Sequence, residues 1–451
     1  MSTDLIALAR TVVGPGPDVE RTLKSTPREV PGAWRAGGLA GMAIGLVGLV
    51  LGLVSGDADT THRTLGILLV CIVYFFGVSQ GGVMFAVAQT VTLGRWGRPF
   101  KRIAESFAFF LPIVYLLWIA FLLAGGTDIY DWKHETMHGH KAIWLAPGFF
   151  VARQIVLMGL LTVLSLVFVR NSLRPDLGAA QEEHGIQPPS WLAWITGGWK
   201  GRAVEVEEAY QRNIRLGPVM IVSYAIIFTI FAVDAVMSLA PHWYANMFPA
   251  WIFVSSFWLS LNWVVIISVT TRHWLAIDHL TKATNYHDIG KLIFALCVFW
   301  AYTFFAQLLP IWYGNMPEET SYLLLRLYAE PWAPLSRVVG AMCFVIPFSV
   351  LLSRGIKKIP SSLIGISGVI ALGLFLERFM LVMPEVWLKE SIPFGFVEIC
   401  VLVGFVSAFF TVVTTVLSKI PPVVFTDPFM NPNPSDVHIH PLSADGHAAH
   451  H

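Results

Sequence analysis

Six ionisable side chains of this sequence lie within or at the edge of long apolar stretches, where charge is costly. They are Arg153, Asp234, Arg337, Glu377, Arg378 and Glu398. An ionisable residue inside a membrane span is a functional-site hypothesis, because a carboxylate there can exchange protons with the aqueous phase. Buried charges are also normally paired, so the same residues could instead hold helices together as ion pairs. A third interpretation is that some of these side chains reach the lipid interface.

The depths of these residues predict a single layer. Counted from the predicted outer ends of their spans, all six lie about 7–11 Å deep at a rise of about 1.5 Å per residue, with Gln307 at a similar depth. Glu377 and Arg378 are adjacent and point about 100° apart on a helix, so each is expected to find its partner on another helix. Asp234 or Glu377 would be the proton-exchanging carboxylate, and His242, shortly after Asp234, would supply a nearby basic group.

The inner ends of the spans offer fewer candidates. Glu105 and Lys291 are the ionisable residues that could belong to the inner part of a proton path. Helix packing in membranes uses the small polar residues that lie between the two ends, so the sequence does not require such a path.

One loop motif is typical of zinc peptidases. His134, Glu135 and His138 match the H-E-x-x-H pattern, which on a helix places two histidines on one face with the glutamate as general base. The motif falls in a predicted loop, with Gly139 directly after it and His140 as the nearest further ligand. We expect a plain polar loop, with an adventitious metal or a catalytic zinc as alternatives.

The elements that carry these residues are membrane spans. Hydrophobic residues make up 55% of the 451 residues and charged residues 13%, against about 25% charged in soluble domains. A net charge of +1 gives no basis for nucleic-acid binding. A span needs about 20 mostly apolar residues. Ten stretches qualify: 36–55, 64–92, 103–125, 146–169, 214–239, 247–271, 289–313, 332–353, 359–384 and 393–418. The sequence therefore predicts an all-α polytopic membrane protein.

The predicted organisation has three parts: a cytoplasmic N-terminal segment (1–35), a ten-helix membrane domain (36–418) and a cytoplasmic tail (419–451) expected to be disordered. Within the membrane domain we expect a cytoplasmic loop at 170–213 and outer loops at 126–145 and 314–331. Most of the 30 Lys and Arg residues fall on one side, so the positive-inside rule predicts that both termini face the cytoplasm. No apolar stretch precedes the first span, which is expected to anchor the chain without a cleavable signal peptide.

Ligands for redox centres are sparse in the predicted spans. All 14 histidines fall in loops, at span ends or in the tail, whereas a membrane cytochrome b holds its haem by histidines within helices. The four cysteines have no C-x-x-C spacing and are typical of core residues: Cys71, Cys297, Cys343 and Cys400. We expect no redox centre in this chain, so electron transfer would need partner subunits.

Several long segments resemble a known membrane protein family. They are APGFFVARQIV (146–156), AVDAVMSLAPHW (232–243), HDIGKLIFALCVFWAYTFFAQ (287–307), LLPIWYGNMPEE (308–319) and LERFMLVMPE (376–385). Over residues 35–420 the chain resembles the second of the two large membrane subunits of bacterial alternative complex III, in the polysulfide-reductase-type (NrfD-like) superfamily.

The resemblance implies two four-helix bundles with two flanking helices, in a lipid-embedded complex of the bacterial cytoplasmic membrane that oxidises menaquinol or ubiquinol. Iron–sulfur clusters and c-type haems would lie in partners: the sister NrfD-like membrane protein, an iron–sulfur protein and c-type cytochromes, with a terminal oxidase or soluble protein as acceptor. The quinol site of that complex is generally placed in the sister NrfD-like protein. The family that this chain resembles is proposed to provide a proton path, whose ionisable residues by position would be Asp234, His242, Glu377 and Arg378.

Two other classes remain as alternatives. A secondary transporter would need a midplane site with broken helices, whereas the charges here lie nearer the outer surface. A membrane zinc peptidase, through His134 and His138, is the more distant one. The expected function is that of a membrane subunit of a quinol:acceptor oxidoreductase that supports quinol oxidation and proton transfer.

Overall fold

The computed structural model describes residues 22–23, 26–427 and 430, and every regular element within them is helical. Among these residues, ten helices are long and apolar enough to cross a membrane, which confirms the ten predicted spans. They are α1 (Gly32–Val54), α2 (Ala58–Val91), α3 (Arg98–Leu123), α4 (Pro147–His184), α5 (Arg202–Leu239), α6 (Phe248–Thr271), α7 (Ala283–Gly314), α8 (Trp332–Leu351), α9 (Pro360–Val386) and α10 (Phe396–Lys419). The end that carries loops 126–145 and 314–331, predicted to face outward, is called the outer end below.

The ten helices form two four-helix bundles with two flanking helices. The first bundle contains α2 to α5, with α4 packed along α5, and the second contains α6 to α9. The bundles meet where α2 packs against α6 and α9 and where α5 packs against α6. The flanking helices α1 and α10 lie against each other and contact α2. Because α2 is surrounded on all sides, its most apolar stretch is entirely buried.

A row of glycines joins the two flanking helices. The buried residues of α1 are Gly38, Gly41, Gly45, Gly48 and Gly52. Their alternating spacing of three and four keeps them on one helix face. Gly45 lies against the backbone of Gly404 on α10, so a Cβ added at either position would collide with the other helix. Small residues of this kind allow close helix approach in membranes.

Two of the helices are irregular near prolines. In α3 a 3-10 turn at Phe107–Phe110 precedes Pro112. In α8 a π-helical segment at Ala341–Val345 precedes Pro347, which has no N–H to donate. The carbonyl of Cys343 in this segment accepts the thiol of Cys297 from α7 at 3.4 Å.

Among the described residues, three short α-helices lie between the spans, in addition to short 3-10 turns. One, Pro317–Leu327, occupies the predicted outer loop 314–331, and His140–Trp144 lies in the outer loop 126–145. The third, Arg354–Lys358, joins the inner ends of α8 and α9.

The predicted inner loop 170–213 is wrong over most of its length, because the connection between α4 and α5 spans only 185–201. Hydropathy falls at residue 170, but the helices continue beyond the apolar part. Arg174 on α4 donates to both carboxylate oxygens of Glu205 on α5 at 2.7 and 2.6 Å, which joins the two extensions.

The predicted disorder from residue 419 is wrong for residues 420–427, which we call the C-terminal strap. The apolar strap residues Val423, Val424 and Phe425 are buried. The backbone N–H of Thr426 donates to Asp176 of α4 at 2.9 Å. The rest of the predicted tail, apart from residue 430, lies outside the described residues, as do residues 1–21 and 24–25 of the predicted N-terminal segment.

Candidate functional site

Asp234 lies near the outer end of α5 and is completely buried. Its Oδ2 accepts hydrogen bonds from Arg153 Nε at 2.8 Å and Gln154 Nε2 at 2.5 Å, both from α4. Its Oδ1 accepts one from Trp144 Nε1 at 3.0 Å. The guanidinium of Arg153 lies 3.9 Å from the centre of the Trp144 ring. This carboxylate therefore has three donors and joins α4 to α5 within the first bundle.

Glu377 and Arg378 of α9 lie in the second bundle and are also buried. Trp300 of α7 donates to Glu377 Oε1 at 2.6 Å, and Arg378 donates to Ser255 Oγ of α6 at 2.6 Å. These contacts confirm the predicted partners on other helices. The two neighbours also pair directly with each other, which their angular separation did not predict. The pair is thus held between three helices.

Glu398 lies in the first turn of α10 and pairs with Arg63 near the outer end of α2. Arg63 lies on α2, and its Nε and Nη2 donate to the two carboxylate oxygens at 2.9 Å each. Glu398 also accepts the backbone N–H of Gly395 at 2.8 Å. The pair fastens α10 to α2 at the outer end.

The ionisable residues therefore form separate ion pairs and not one connected layer, which favours the pairing interpretation for the carboxylates. Arg337 of α8 differs from the rest. Its side chain is exposed, and it has no hydrogen bond or ion pair with any described residue.

A cavity of about 690 Å³ lies in the second bundle beside Glu377. Its walls come from all four helices of that bundle and from the Pro317–Leu327 helix, and they are mostly apolar. Trp300 and Phe304 of α7 stack with their rings nearly parallel along one wall, next to Trp251 of α6. Of the predicted residues the cavity brings together Glu377, Gln307 and Arg337.

Two polar atoms in the cavity wall are buried and have no hydrogen-bond partner among the described residues. They are Oε1 of Gln307 and the hydroxyl oxygen of Tyr322. Burial raises the pKa of Tyr322 to about 12, so its phenol is protonated at neutral pH. The wall therefore offers one free acceptor and one free O–H donor to a bound molecule.

The Pro317–Leu327 helix closes the outer side of the cavity. Its Tyr322 stacks on Trp243 with ring centres 3.8 Å apart, and Arg326 lies 3.4 Å over the other face of the Tyr322 ring. Arg326 also donates to the carbonyl of Met380 on α9 at 3.0 Å and pairs with Glu385 at 2.9 Å. We call this helix with its Trp243 and α9 contacts the roof.

His242 does not meet Asp234, contrary to the sequence expectation. It is exposed in the outer loops, where its ring nitrogen lies 3.2 Å from Glu135 of the H-E-x-x-H motif. That motif is not helical, so His134 and His138 do not share a helix face. His134 instead contacts the carbonyl of Asp128 at 3.0 Å. Among the described residues no group of three or more histidine, cysteine or acidic side chains could hold a metal ion.

The two inner candidates lie in unrelated surroundings. Lys291 is exposed and pairs with Asp288 one turn away at 2.7 Å. Glu105 belongs to a largely buried network that we call the inner cluster. It comprises Arg98, Lys101, Arg102, Glu105, Asp176 and Asp427. Ser172 donates to Glu105 at 2.6 Å, while Arg102 bridges Glu105 and Asp176. The described contacts therefore provide no connection between Glu105 and Lys291.

Sequence reasoning missed the roof and the tryptophan partner of Glu377. The roof had a signal: Pro317 at the start, Glu318 and Glu319 in the first turn and Arg326 in the last turn match helix start and stop preferences. No sequence signal identified Trp300 as the partner of Glu377, because that contact depends on which helix packs against α9.

Comparison with models of known protein families and with curated proteins found no match to this chain.

Proposed function

We propose that the chain is an integral membrane subunit of a respiratory or photosynthetic quinol:acceptor oxidoreductase, and that its cavity binds the quinone ring. The observation that carries this proposal is the pair of unpartnered polar atoms, Gln307 Oε1 and the Tyr322 hydroxyl, in an otherwise apolar cavity. A quinol hydroxyl can donate to the first, and a quinone carbonyl can accept from the second. Both redox forms of the ring thus find a partner in the same wall.

The size and walls of the cavity suit a lipid-soluble ring. Its volume of about 690 Å³ is within the range of small-molecule pockets, which are mostly apolar with a few polar groups. Phe305 of α7 and Val345 of α8 line the cavity, and each side chain is more than half exposed. An isoprenoid tail would leave between these two helices into the bilayer.

The chemistry at this site is proton release. Oxidation of a quinol to the quinone removes two electrons and the two hydroxyl protons. Glu377 is the carboxylate among the residues that line the cavity, and it would receive one of the two protons there, while the other would pass to water at the outer end. The electrons would pass to iron–sulfur clusters and c-type haems of partner subunits, in keeping with the sequence resemblance to alternative complex III of bacterial cytoplasmic membranes. Asp234, whose carboxylate already has three donors, is the less suitable proton acceptor.

Purification of the chain from its native membrane tests the assembly. We expect c-type haem absorbance and quinol:acceptor activity to co-purify with it. A chain that purifies without haem, and that transports a solute when reconstituted alone in liposomes, would contradict the proposal and favour a transporter.

A pair of glycine substitutions tests the cavity itself. Gly340 lines the cavity and Gly368 faces outward on α9, and both have open space where a side chain would be added. Gly340→Phe should fill the cavity and raise the KM for quinol by about tenfold, a loss of roughly 1.4 kcal/mol in binding. Gly368→Phe adds the same ring outside the cavity and should leave KM unchanged. Equal effects of the two variants, or none at Gly340, would argue against a quinone here.

Substitution of the carboxylate tests its role as proton acceptor. Glu377→Gln should lower turnover by about 100-fold, the contribution of a positioned base, while photolabelling by a quinone analogue persists. Glu398→Gln, which weakens the half-buried pair with Arg63 away from the cavity, is the control and should retain turnover. Loss of labelling together with turnover at Glu377 would indicate a structural role instead.

A further inference from the structure

We propose that the inner ends of α1 and α10 form a binding site for the headgroup of an anionic phospholipid. A groove of about 470 Å³ lies between them, and its walls are residues 28–30 with the first turns of α1 on one side and the last turns of α10 on the other. It lies at the opposite end of the molecule from the roof. The proposal does not depend on the quinone site.

The groove is fixed by contacts behind its walls. The backbone N–H of Arg28 donates to the carbonyl of Ser418 at 2.8 Å, which holds the segment before α1 to the end of α10. Trp274 donates from its indole nitrogen to the carbonyl of Glu29 at 2.9 Å. Trp34 packs edge-on against Trp274 and against Phe410 of α10, with ring centres 5.5 Å apart in each case. The shape of the groove is therefore set before any ligand arrives.

The charges of the groove match a phosphate group. Arg35 on α1 and Lys419 on α10 are exposed, line opposite walls and have no ion-pair or hydrogen-bond partner among the described residues. Arg28 adds a third cation in the wall, where burial lowers its pKa to about 10 and leaves it charged at neutral pH. Glu29 is the carboxylate among the lining residues, and Arg35 and Lys419 together exceed it by one positive charge. A single phosphodiester between Arg35 and Lys419 would be attracted from both sides.

The apolar surroundings favour a lipid over a soluble phosphate. Leu39 lines the groove one turn from Arg35 and is 54% exposed. Further along the same helix Leu46 and Val50 are exposed as well, and these residues form an outward apolar face. Acyl chains would lie along this face while the headgroup occupies the groove. Trp34 lies at the boundary, where tryptophan is enriched in membrane proteins.

Reconstitution of the purified full-length protein, with any subunits that co-purify, in nanodiscs tests this assignment. The discs contain phosphatidylcholine with increasing fractions of phosphatidylglycerol, and the thermal unfolding midpoint is followed. We expect phosphatidylglycerol to raise the midpoint of the wild type, with half-saturation at a low mole fraction. The double variant Arg35→Gln/Lys419→Gln should need about tenfold more phosphatidylglycerol for the same rise, as expected for the loss of two phosphate-binding cations.

The matched control removes equal charge at the same end. Arg354→Gln/Lys358→Gln acts on the short helix Arg354–Lys358, away from the groove, and should respond to phosphatidylglycerol as the wild type does. Equal weakening by both double variants would overturn the proposal in favour of general surface attraction. Stabilisation of the wild type by glycerol phosphate in phosphatidylcholine discs would overturn it in favour of a soluble phosphate.

Discussion

At the residue scale, the buried ion pair of Arg153 and Asp234 stabilises the packing of α4 against α5. Both oxygens of Asp234 accept hydrogen bonds, and the donors come from α4 and the segment before it. A buried charge that loses its partner destabilises the fold strongly, whereas replacement of both partners by apolar groups is often tolerated.

Asp234→Ala should therefore lower the free energy of unfolding by about 3–5 kcal/mol, because Arg153 remains buried without its carboxylate. Denaturant or thermal unfolding of the purified protein measures this loss. The double variant Arg153→Met/Asp234→Leu should recover most of it, and the KM for quinol should stay unchanged in that variant. A raised KM in the recovered double variant would indicate that Asp234 belongs to the proposed quinone site.

Asp131, in the outer loop 126–145, has a carboxyl whose protonation matters for stability. Desolvation raises its pKa, and the carboxylates of Glu385 and Glu135 raise it further. A carboxyl with a raised folded pKa contributes stability that is present below its unfolded pKa of about 3.9 and is lost as pH rises through the folded pKa.

Asp131→Asn should consequently unfold at a higher temperature than the wild type at neutral pH, and the difference should close as the pH falls towards about 4. Thermal unfolding over a pH series shows this. Asp128→Asn serves as the control, because Asp128 pairs with Lys133 and its loss should bring no stabilisation. A constant difference at every pH would mean that charge on Asp131 is not the cause.

At the element scale, the glycine row of α1 decides how closely the flanking helices approach. Gly45→Leu forces a side chain against the backbone of Gly404, which cannot move aside as a flexible side chain could. We expect a loss of about 1–3 kcal/mol in stability, or more if α1 separates from α10. Gly37→Leu adds the same side chain to the same helix with nothing within 4 Å and should be neutral. Thermal unfolding of the two variants makes the comparison, and equal losses would contradict the close packing.

The spans could be predicted from the sequence because a helix that crosses a bilayer needs a long run of apolar residues, and hydropathy measures such runs. The continuation of α4 beyond residue 170 could not be predicted in this way, because Arg174 and Glu205 can form their ion pair only once α4 and α5 are neighbours. The same limit applies to the site. Glu377 and Gln307 were identified as intramembrane polar residues, but the cavity between them depends on the packing of four helices and the roof. Tyr322 carries no sequence signal of burial, because its burial comes from Trp243 in a distant loop.

At the scale of the whole molecule, the C-terminal strap ties the end of the chain to the first bundle. Asp427 accepts from Arg98 at 2.6 Å and from Lys101 at 3.4 Å. In the inner cluster it is the third carboxylate beside three cations. The strap thereby contributes a carboxylate to a largely buried ion-pair network on α3 and α4.

Asp427→Ala should lower the stability of the protein by about 1.5–3 kcal/mol, the usual contribution of hydrogen bonds to charged groups. Asp288→Ala is the matched control, because it removes a carboxylate from the largely exposed pair with Lys291, worth about 0–1 kcal/mol. Limited proteolysis of the tail and thermal unfolding give the two readouts. Indistinguishable behaviour of the variants would show that the strap contributes no more than a surface ion pair.

Pro384 near the end of α9 removes one backbone hydrogen bond from that helix, and a contact of the roof takes its place. A proline cannot donate to the carbonyl four residues earlier, which here is Met380, and that carbonyl receives Arg326 from the roof instead. Pro384→Ala would restore the missing N–H and complete the helical ladder, so that Arg326 would face a competitor for its acceptor. Strengthening α9 in this way should loosen the roof, and it would appear as faster hydrogen exchange in residues 317–327. A fully hydrogen-bonded helix at this position would therefore weaken the contact that holds the roof over the cavity.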